Sequence, residues 1–289
     1  MQGADVILRS SDLVSFRVHK SILAISSPFF QDMFSLPQPL DGMVIDGLPV
    51  VHVSEDAEIL NSLLTALYPI PSAIPISHEK TFDLLAALQK YEMTTVLSTV
   101  RSEIGRQLPA TVSPFRAYAI ASRKQLIPEV KTAARLTLDQ PMTFKTIGDA
   151  LPFFDRSSLQ DLVHFRKRCH SKLLAFFEGF ANGSDSLSKI WFGCKATRKR
   201  PQNNTAKPGW LRDFVFQHTE SLKETYTNPF PTPSSLHKEF ISNLLSHVSE
   251  DVCSSCSKGY ATEGEAFLDQ LCCKVSKIRR GTYFPPPGL

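Results

Sequence analysis

Short runs of apolar residues in the first fifty-odd positions predict three β-strands. Asp5–Leu8 is the first run, and Val14–Val18 alternates apolar and polar positions after the polar turn at residues 9–12. This pair predicts a β-hairpin with one buried face. After a proline-containing loop at residues 36–42, Pro49–Val53 predicts a third strand.

Helical patterns follow each group of strands. His19 opens a first helix, and Ser27 followed by Pro28 is typical of the start of a second one. Ser54 is predicted to cap a third helix and Ser77 a fourth, with one more helix after it, which gives the order β-β-α-α-β-α-α-α. The apolar stripes predicted to face the core are Ile22, Leu23 and Ile25; Phe29, Phe30, Met33 and Phe34; Ile59, Leu60, Leu63, Leu64 and Leu67; Phe82, Leu85, Leu88 and Tyr91; and Val96, Val100 and Ile104.

Spaced motifs in this region resemble the signature of the BTB/POZ domain. The motifs are Asp5-Val6, Phe16-x-Val18-His19-Lys20-x-x-Leu23-Ala24, Ser26-Ser27-Pro28-Phe29-Phe30-x-x-Met33-Phe34 and Glu58-x-Leu60-x-x-Leu63-Leu64-x-x-Leu67-Tyr68. The resemblance implies a short β-sheet flanked by helices over residues 1–108. Its signature residues here are Asp5, His19, Lys20, Leu23, Ser27, Pro28, Phe29, Phe30, Met33 and Phe34. Each also has a structural interpretation, with Asp5 capping nearby backbone and His19 as a satisfied, half-buried polar residue.

The remainder of the chain predicts further helices, so that the fold class is α+β with a mostly helical C-terminal region. Residues 109–181 are predicted to form a helical extension, and residues 182–289 an irregular segment with Pro and Trp followed by C-terminal helices. Ser158 with Asp161, and Thr262 with Glu265, are predicted capping boxes at the start of two long helices. Gly281 is predicted to close the last helix.

The composition of the chain indicates what class of protein it belongs to. Hydrophobic residues make up 42% and charged residues 21% of the 289 positions, which is typical of a folded chain. The formal net charge of +4 is too small to predict nucleic-acid binding. No signal-peptide pattern and no apolar run of membrane-spanning length are visible, so we expect a cytoplasmic or nuclear protein without a membrane partner.

Few motifs in the sequence indicate catalysis, cofactor binding or metal binding. Nucleotide-binding glycine motifs, a GxSxG elbow and an HExxH motif are absent from the sequence, so we expect no enzyme activity, no catalytic residue and no cofactor. Cys253-Ser254-Ser255-Cys256 has the spacing of a zinc half-site, but no second cysteine pair of this spacing completes it. We expect no bound metal, with Cys253 and Cys256 as the candidate ligands. The basic run Arg198-Lys199-Arg200 could serve nuclear import or contact phosphate.

The BTB/POZ resemblance implies a non-enzymatic interaction module that acts as a scaffold or adaptor for a protein partner. Self-association and binding to a cullin, as the substrate adaptor of a ubiquitin ligase, are the two roles that recur in that family, and Phe29, Phe30 and Met33 would form the cullin contact. Only four residues precede Asp5, and residues 36–42 lack a hydrophobic-x-acid motif, so we expect a monomer or an unusual dimer and an atypical cullin contact. A zinc-dependent or nucleic-acid-associated regulator is the alternative from another class. Ile45–Val51 and the Trp- and Cys-bearing tail are similar to BTB proteins of mushroom-forming fungi.

Overall fold

The computed structural model describes residues 3–37, 43–68, 80–182, 209–224, 226–251 and 254–282, with backbone alone for residues 103–111, 209–210, 212, 243–251 and 254–264. Its contacts divide the chain into two compact units, Met1–Val130 and Lys131–Leu289. The predicted domain boundaries at residues 108 and 181 would divide the chain into three parts, and they stay predictions.

The first unit begins with a small mixed sheet and two short helices. Its elements up to residue 67 are β1 (Val6–Arg9), β2 (Ser15–Val18), α1 (Lys20–Ser26), α2 (Pro28–Ser35), β3 (Val44–Ile45), β4 (Leu48–His52) and α3 (Ala57–Leu67). The strands lie in the order β2-β1-β4-β3, and β1 pairs antiparallel with β2 and parallel with β4. Because β1 is central, Val6, Ile7 and Leu8 are all buried. The predicted hairpin and third strand are confirmed.

The β3 strand is an addition to the predicted order. It pairs with β4 through a two-residue turn at Asp46 and Gly47, whose φ angles are 51° and 75°. Both angles lie in the left-handed region, which is the geometry of the tight hairpin turn that an Asp-Gly pair favours. The described order is therefore β-β-α-α-β-β-α-α-α over the first five helices.

Helices complete the core of the first unit. They are α4 (Thr81–Lys90), α5 (Thr94–Thr111) and α6 (Pro114–Arg123), and α7 (Ile127–Leu136) runs across the boundary between the units. Ser54 does not cap α3. That role belongs to Asp56, whose carboxylate accepts a hydrogen bond from the Ile59 amide at 2.9 Å. Ser77, the predicted cap of the next helix, lies outside the described residues, and the N-cap of α4 is Lys80.

Helices are the regular secondary structure of the second unit within its described part. Its longer helices are α9 (Arg156–Ala181), α10 (Gly209–Glu224), α11 (Pro233–Asp251) and α12 (Ser254–Gly281), and α8 (Phe144–Ile147) is a single turn. The irregular segment predicted to begin at residue 182 is wrong where α10 lies, at Gly209–Glu224. Two predicted capping boxes are also wrong, because Asp155 caps α9 with Ser158 at the third position, and Thr262 lies inside α12.

Four helices form the core of this unit, each contacting two others: α9 with α10 and α12, and α11 with α10 and α12. Their aromatic rings meet in a chain, with Phe180 and Phe267 5.6 Å apart, Phe267 and Phe240 5.3 Å apart, and Phe240 and Phe214 5.6 Å apart between centroids. The buried side chains of this core include Leu162, Cys169, Leu173 and Phe177 on α9 and Leu236 and Phe240 on α11.

A fully buried cation, Arg166 on α9, organises the loop between α10 and α11. Its guanidinium donates to the carbonyl oxygens of Thr137 and of Gln140, and to those of the loop residues Tyr226, Thr227 and Asn228 at 3.1–3.3 Å. The Phe230 ring covers it at 5.1 Å. Burial lowers the pKa of Arg166 to about 10, so the group is still charged at neutral pH.

The predicted fold class is confirmed, with a small sheet and helices at the N-terminus and a mostly helical remainder. Among the described helices, none combines the length and hydropathy needed to cross a membrane.

Candidate functional site

The signature residues at the start of the chain connect the first strand to the first helix. The carboxylate of Asp5 accepts a hydrogen bond from the Lys20 amide at 2.7 Å, and Lys20 is the first residue of α1. The N-cap residue His19 offers no side-chain bond to this helix. Asp5, the residue just before β1, therefore satisfies an amide at the start of α1.

His19 links the start of α1 to the end of α3. Both its backbone amide and its Nδ1 lie 3.1 Å from the hydroxyl of Tyr68, the C-cap residue of α3. The ring is half-buried, and its described partner is a phenol. This contact gives His19 a positional role in holding two helix ends together.

Ser27 lies at the junction of α1, α2 and α4 and is fully buried. Its hydroxyl accepts a hydrogen bond from the Phe30 amide at 3.1 Å, which caps α2, and donates one to the Tyr91 carbonyl at 2.5 Å. Pro28 occupies the first helical position after this cap. Leu23, on the neighbouring helix, has no exposed surface.

The predicted aromatic stripe of α2 splits between core and surface. Phe30 is 1% exposed and stacks on Tyr91 with centroids 4.9 Å apart, whereas Phe29 is 41% exposed. The Phe29 ring nevertheless meets Phe30 and Tyr91 edge-on at 5.5 and 5.4 Å. Phe34 is half-buried, with the Lys20 ammonium 5.7 Å from its ring. Phe29 is thus a surface side chain held in one orientation by buried neighbours.

Tyr91 is held in place by a polar network that the sequence did not suggest. Its hydroxyl donates to Glu55, and the Lys90 ammonium donates to the same carboxylate at 3.0 Å and to Ser54 at 2.7 Å. Burial and the bond to Glu55 raise the pKa of Tyr91. Burial opposes ionisation of Glu55, but the hydrogen bonds from Tyr91 and Lys90 outweigh it and lower the pKa of that carboxyl.

Four apolar side chains on α1, on α2 and at the end of α2 keep exposed surface, and we name them the α1–α2 surface: Ile25, Phe29, Met33 and Leu36. Ile25 is 87% and Leu36 63% exposed, while Met33 is half-buried. Phe29, Met33 and Leu36 follow one another at spacings of four and three, as on one face of a helix. Large apolar side chains exposed on neighbouring helical turns are typical of a surface that binds another protein.

The predicted metal and basic sites fall largely outside the described part of the chain. Cys253 and residues 198–200 are not described, and Cys256 lies on α12 where the side chains are not described. Among described cysteines, Cys169 is buried, Cys272 half-buried and Cys273 exposed, and burial raises the pKa of the first two thiols. Where side chains are described, no group of three His, Cys, Asp or Glu residues is placed to hold a metal ion.

Comparison with known proteins agrees with the geometry of the first unit. Residues 2–108 match the family model of the BTB/POZ domain. No curated protein matches the chain. The matched range holds every signature residue described above, together with Tyr68 and Tyr91.

Proposed function

Because residues 2–108 form a BTB/POZ domain, which is a protein-interaction domain, we propose that this chain is a non-enzymatic scaffold or adaptor whose first binding surface is the α1–α2 surface. A cytoplasmic or nuclear setting accompanies this proposal. The observation that carries it is an exposed apolar surface on a rigid, buried aromatic support.

The rigidity of Phe29 is the physical argument for this surface. Two buried rings, Phe30 and Tyr91, contact it edge-on, and Ser27 fixes both the helix start and the Tyr91 backbone. A partner that covers Phe29 therefore meets a ring whose orientations these neighbours already restrict, which lowers part of the entropy cost of binding. Aromatic anchors of this kind are enriched among interface hot spots.

The proposed occupant is a cullin-type scaffold chain, so that the protein acts as a substrate adaptor. The exposed Phe29 and half-buried Met33 support this role, whereas Phe30 is in the core and does not reach the surface. Of the three predicted contact residues, the proposal therefore keeps Phe29 and Met33. Ile25 and Leu36 extend the contact on either side.

Light scattering after size-exclusion chromatography tests this proposal on the full chain, alone and with a cullin N-terminal fragment. We compare Ile25→Asp with Phe144→Asp, because Phe144 lies on α8 in the second unit and is 83% exposed against 87% for Ile25. We expect Ile25→Asp to weaken the complex at least ~10-fold, since a carboxylate at an apolar contact costs more than about 1.4 kcal/mol. Phe144→Asp should leave it unchanged.

Two results would contradict the adaptor role. If no complex forms with the cullin fragment, the occupant is wrong, and a concentration-dependent increase in mass that Ile25→Asp abolishes would identify a second copy of the chain instead. If both variants behave as the parent protein in all complexes, the α1–α2 surface is not the binding surface.

The alternative of a zinc-dependent or nucleic-acid-associated regulator stays a prediction, because its residues lie where side chains are not described. Metal analysis of the purified full chain separates the two functions. One equivalent of zinc that is lost in Cys253→Ser and Cys256→Ser would favour the regulator. Zinc-free protein would leave the interaction module in place.

A further inference from the structure

Strand β3 forms one outer edge of the described sheet, whose order is β2-β1-β4-β3. The Val50 amide of β4 donates to the Met43 carbonyl at 2.9 Å, and Val44, the next residue, lies opposite Pro49. Hydrogen-bonded and non-hydrogen-bonded pairs alternate in an antiparallel ladder, so the N–H and carbonyl of Val44 point away from β4. These two backbone groups therefore lie on the free edge, where a further strand is able to pair with them.

The side chains at this edge are apolar and exposed. Met43 is 47% and Val44 61% exposed. Proteins usually protect an edge strand from pairing with a charged side chain or a proline on that strand. The run Met43–Ile45 contains neither. Its composition therefore favours pairing with another chain.

Arg9, the last residue of β1, reaches across β4 to this same edge. Its Nη1 lies 3.5 Å from the sulfur of Met43, which is a weak acceptor, and its Nε is buried without a hydrogen-bond partner. Among the described residues, no carboxylate pairs with this half-buried guanidinium. On β2, by contrast, Arg17 forms an ion pair with Asp46. Because a partly buried charge is usually paired, Arg9 indicates a place for an anionic group.

We infer that an extended acidic segment of a partner protein adds to the sheet at β3, pairs with the backbone of Val44 and places a carboxylate on Arg9. An added strand lies about 4.8 Å beyond β3, and alternate side chains of it point to the face that carries Met43. A glutamate at such a position is within reach of the guanidinium and forms charge-assisted hydrogen bonds with it. Strand addition of this kind takes affinity from main-chain bonds and specificity from side chains.

NMR titration of the full chain with two peptides tests the inference, with the Val44 amide resonance as the readout. The first peptide is acetyl-Thr-Val-Glu-Val-Thr-amide, and the second carries Gln in place of Glu. We expect saturable shifts with the Glu peptide and at least ~10-fold weaker binding of the Gln peptide. The reason is that an ionised acceptor forms stronger hydrogen bonds with a guanidinium than a neutral amide does.

Variants separate the two parts of the proposed contact. Arg9→Gln should remove the preference, so that both peptides bind equally weakly. Arg123→Gln, which changes an exposed arginine on α6, is the matched control and should keep the preference. Val44→Pro removes the outward N–H, which an edge strand tolerates, and should weaken binding of the Glu peptide at least ~10-fold. Val44→Thr keeps the N–H and should bind as the parent protein does.

Shifts without saturation, equal affinity of the parent protein for the two peptides, or a preference that survives in Arg9→Gln would overturn the inference. An internal partner for Arg9 would give a different result. Asp41 lies outside the described residues, two positions before Met43. If the Glu peptide binds Asp41→Asn but not the parent protein, Asp41 is the group that pairs with Arg9, and the inference of an external partner is wrong.

Discussion

Ser27 is a single small side chain on which two connections of the BTB/POZ domain depend. It caps α2 through the Phe30 amide and satisfies the carbonyl of Tyr91. Phe29, two residues further along the chain, is the anchor of the α1–α2 surface. A defect at Ser27 should therefore affect stability and the binding surface together.

We expect Ser27→Ala to lower the free energy of unfolding by about 2 kcal/mol, because a helix cap is lost and a buried carbonyl loses its donor. Chemical denaturation measures this change. Ser35→Ala is the control, since the Ser35 hydroxyl bonds only the exposed Asp32 carbonyl at 2.7 Å among its described partners. A loss in Ser27→Ala no larger than in the control would show that neither bond matters.

The lowered pKa of His218 predicts that the stability of the protein decreases as pH falls. Its folded-state pKa is lowered by burial, so the unfolded chain binds a proton more readily. The neutral ring contributes fully to the free energy of unfolding above the unfolded pKa of about 6.5, and this contribution is lost as pH falls below that value. His218→Phe, which keeps the aromatic contacts, should lose less stability between pH 7.5 and 5.5 than the parent protein in denaturant titrations. An equal or steeper loss would contradict the prediction.

Local residue patterns predicted the signature residues but could not separate core from surface among them. Phe29 and Phe30 are adjacent members of one apolar stripe, and their sequence context is nearly the same. Tyr91, which lies far along the chain, covers Phe30 and only touches the edge of Phe29. The burial of His218 was missed for the same reason, since the Phe177 ring that stacks on it belongs to another helix.

At the scale of single elements, helix starts were the weakest predictions. Ser54, Ser158 and Thr262 were each one of several capping residue types near a helix start, and in each case the structure uses another start. The choice at α3 has a tertiary cause. Asp56 both caps the helix and pairs with Lys80 at 2.8 Å, whereas Ser54 contacts Lys90 and Glu55.

The contrast between Asp56 and Ser54 is itself testable. Asp56→Ala should cost about 1 kcal/mol of stability through the lost cap, and Ser54→Ala less than about 0.5 kcal/mol. Hydrogen bonds from Lys80 and from backbone amides lower the pKa of Asp56. The stability that the ionised carboxylate provides is therefore present above its unfolded pKa and is lost as pH falls below it. Denaturation at neutral and acidic pH checks both statements. Equal losses of stability in the two variants at neutral pH would contradict the assignment of Asp56 as the N-cap.

Two elements were missed although each had a signal. The Asp46-Gly47 pair is a strong hairpin-turn signature, but β3 has two residues and too little pattern for periodicity to register. Helix α10 follows a segment rich in Pro, Gly and Asn, which hid the helical spacing of its buried residues Leu211, Phe214, Val215, His218 and Leu222. The spacing of apolar residues within α10 was a better predictor of this helix than the composition of the segment before it.

At the scale of the whole molecule, the two units are stabilised differently. The first has a small sheet in which Val6, Ile7 and Leu8 of β1 are buried, and its polar networks lie around Tyr91 and Asp56. The second depends on helix packing and on one buried guanidinium, Arg166. The sequence predicted a small sheet with helices followed by a mostly helical remainder because strand and helix periods are local, but it did not predict the buried cation Arg166.

We expect Arg166→Met to lower the free energy of unfolding by roughly 3 kcal/mol or more, because several buried carbonyls lose their donor at once. Lys167→Met is the matched control, since Lys167 is exposed and lies 5.0 Å from the Tyr226 ring. Thermal and denaturant unfolding of the full chain measure both. If the Arg166 variant is as stable as the control, the carbonyls are satisfied without the guanidinium.

The partners of Arg166 also set an order in time. Its bonds to residues 226–228 join positions 60 to 62 apart in sequence, so they form only after a long loop has closed. During synthesis the carbonyls of Thr137 and Gln140 precede Arg166, but those of residues 226–228 are made some sixty residues later. The second unit should therefore not reach its native state before residues 226–228 and the helices α11 and α12 that follow them have been made.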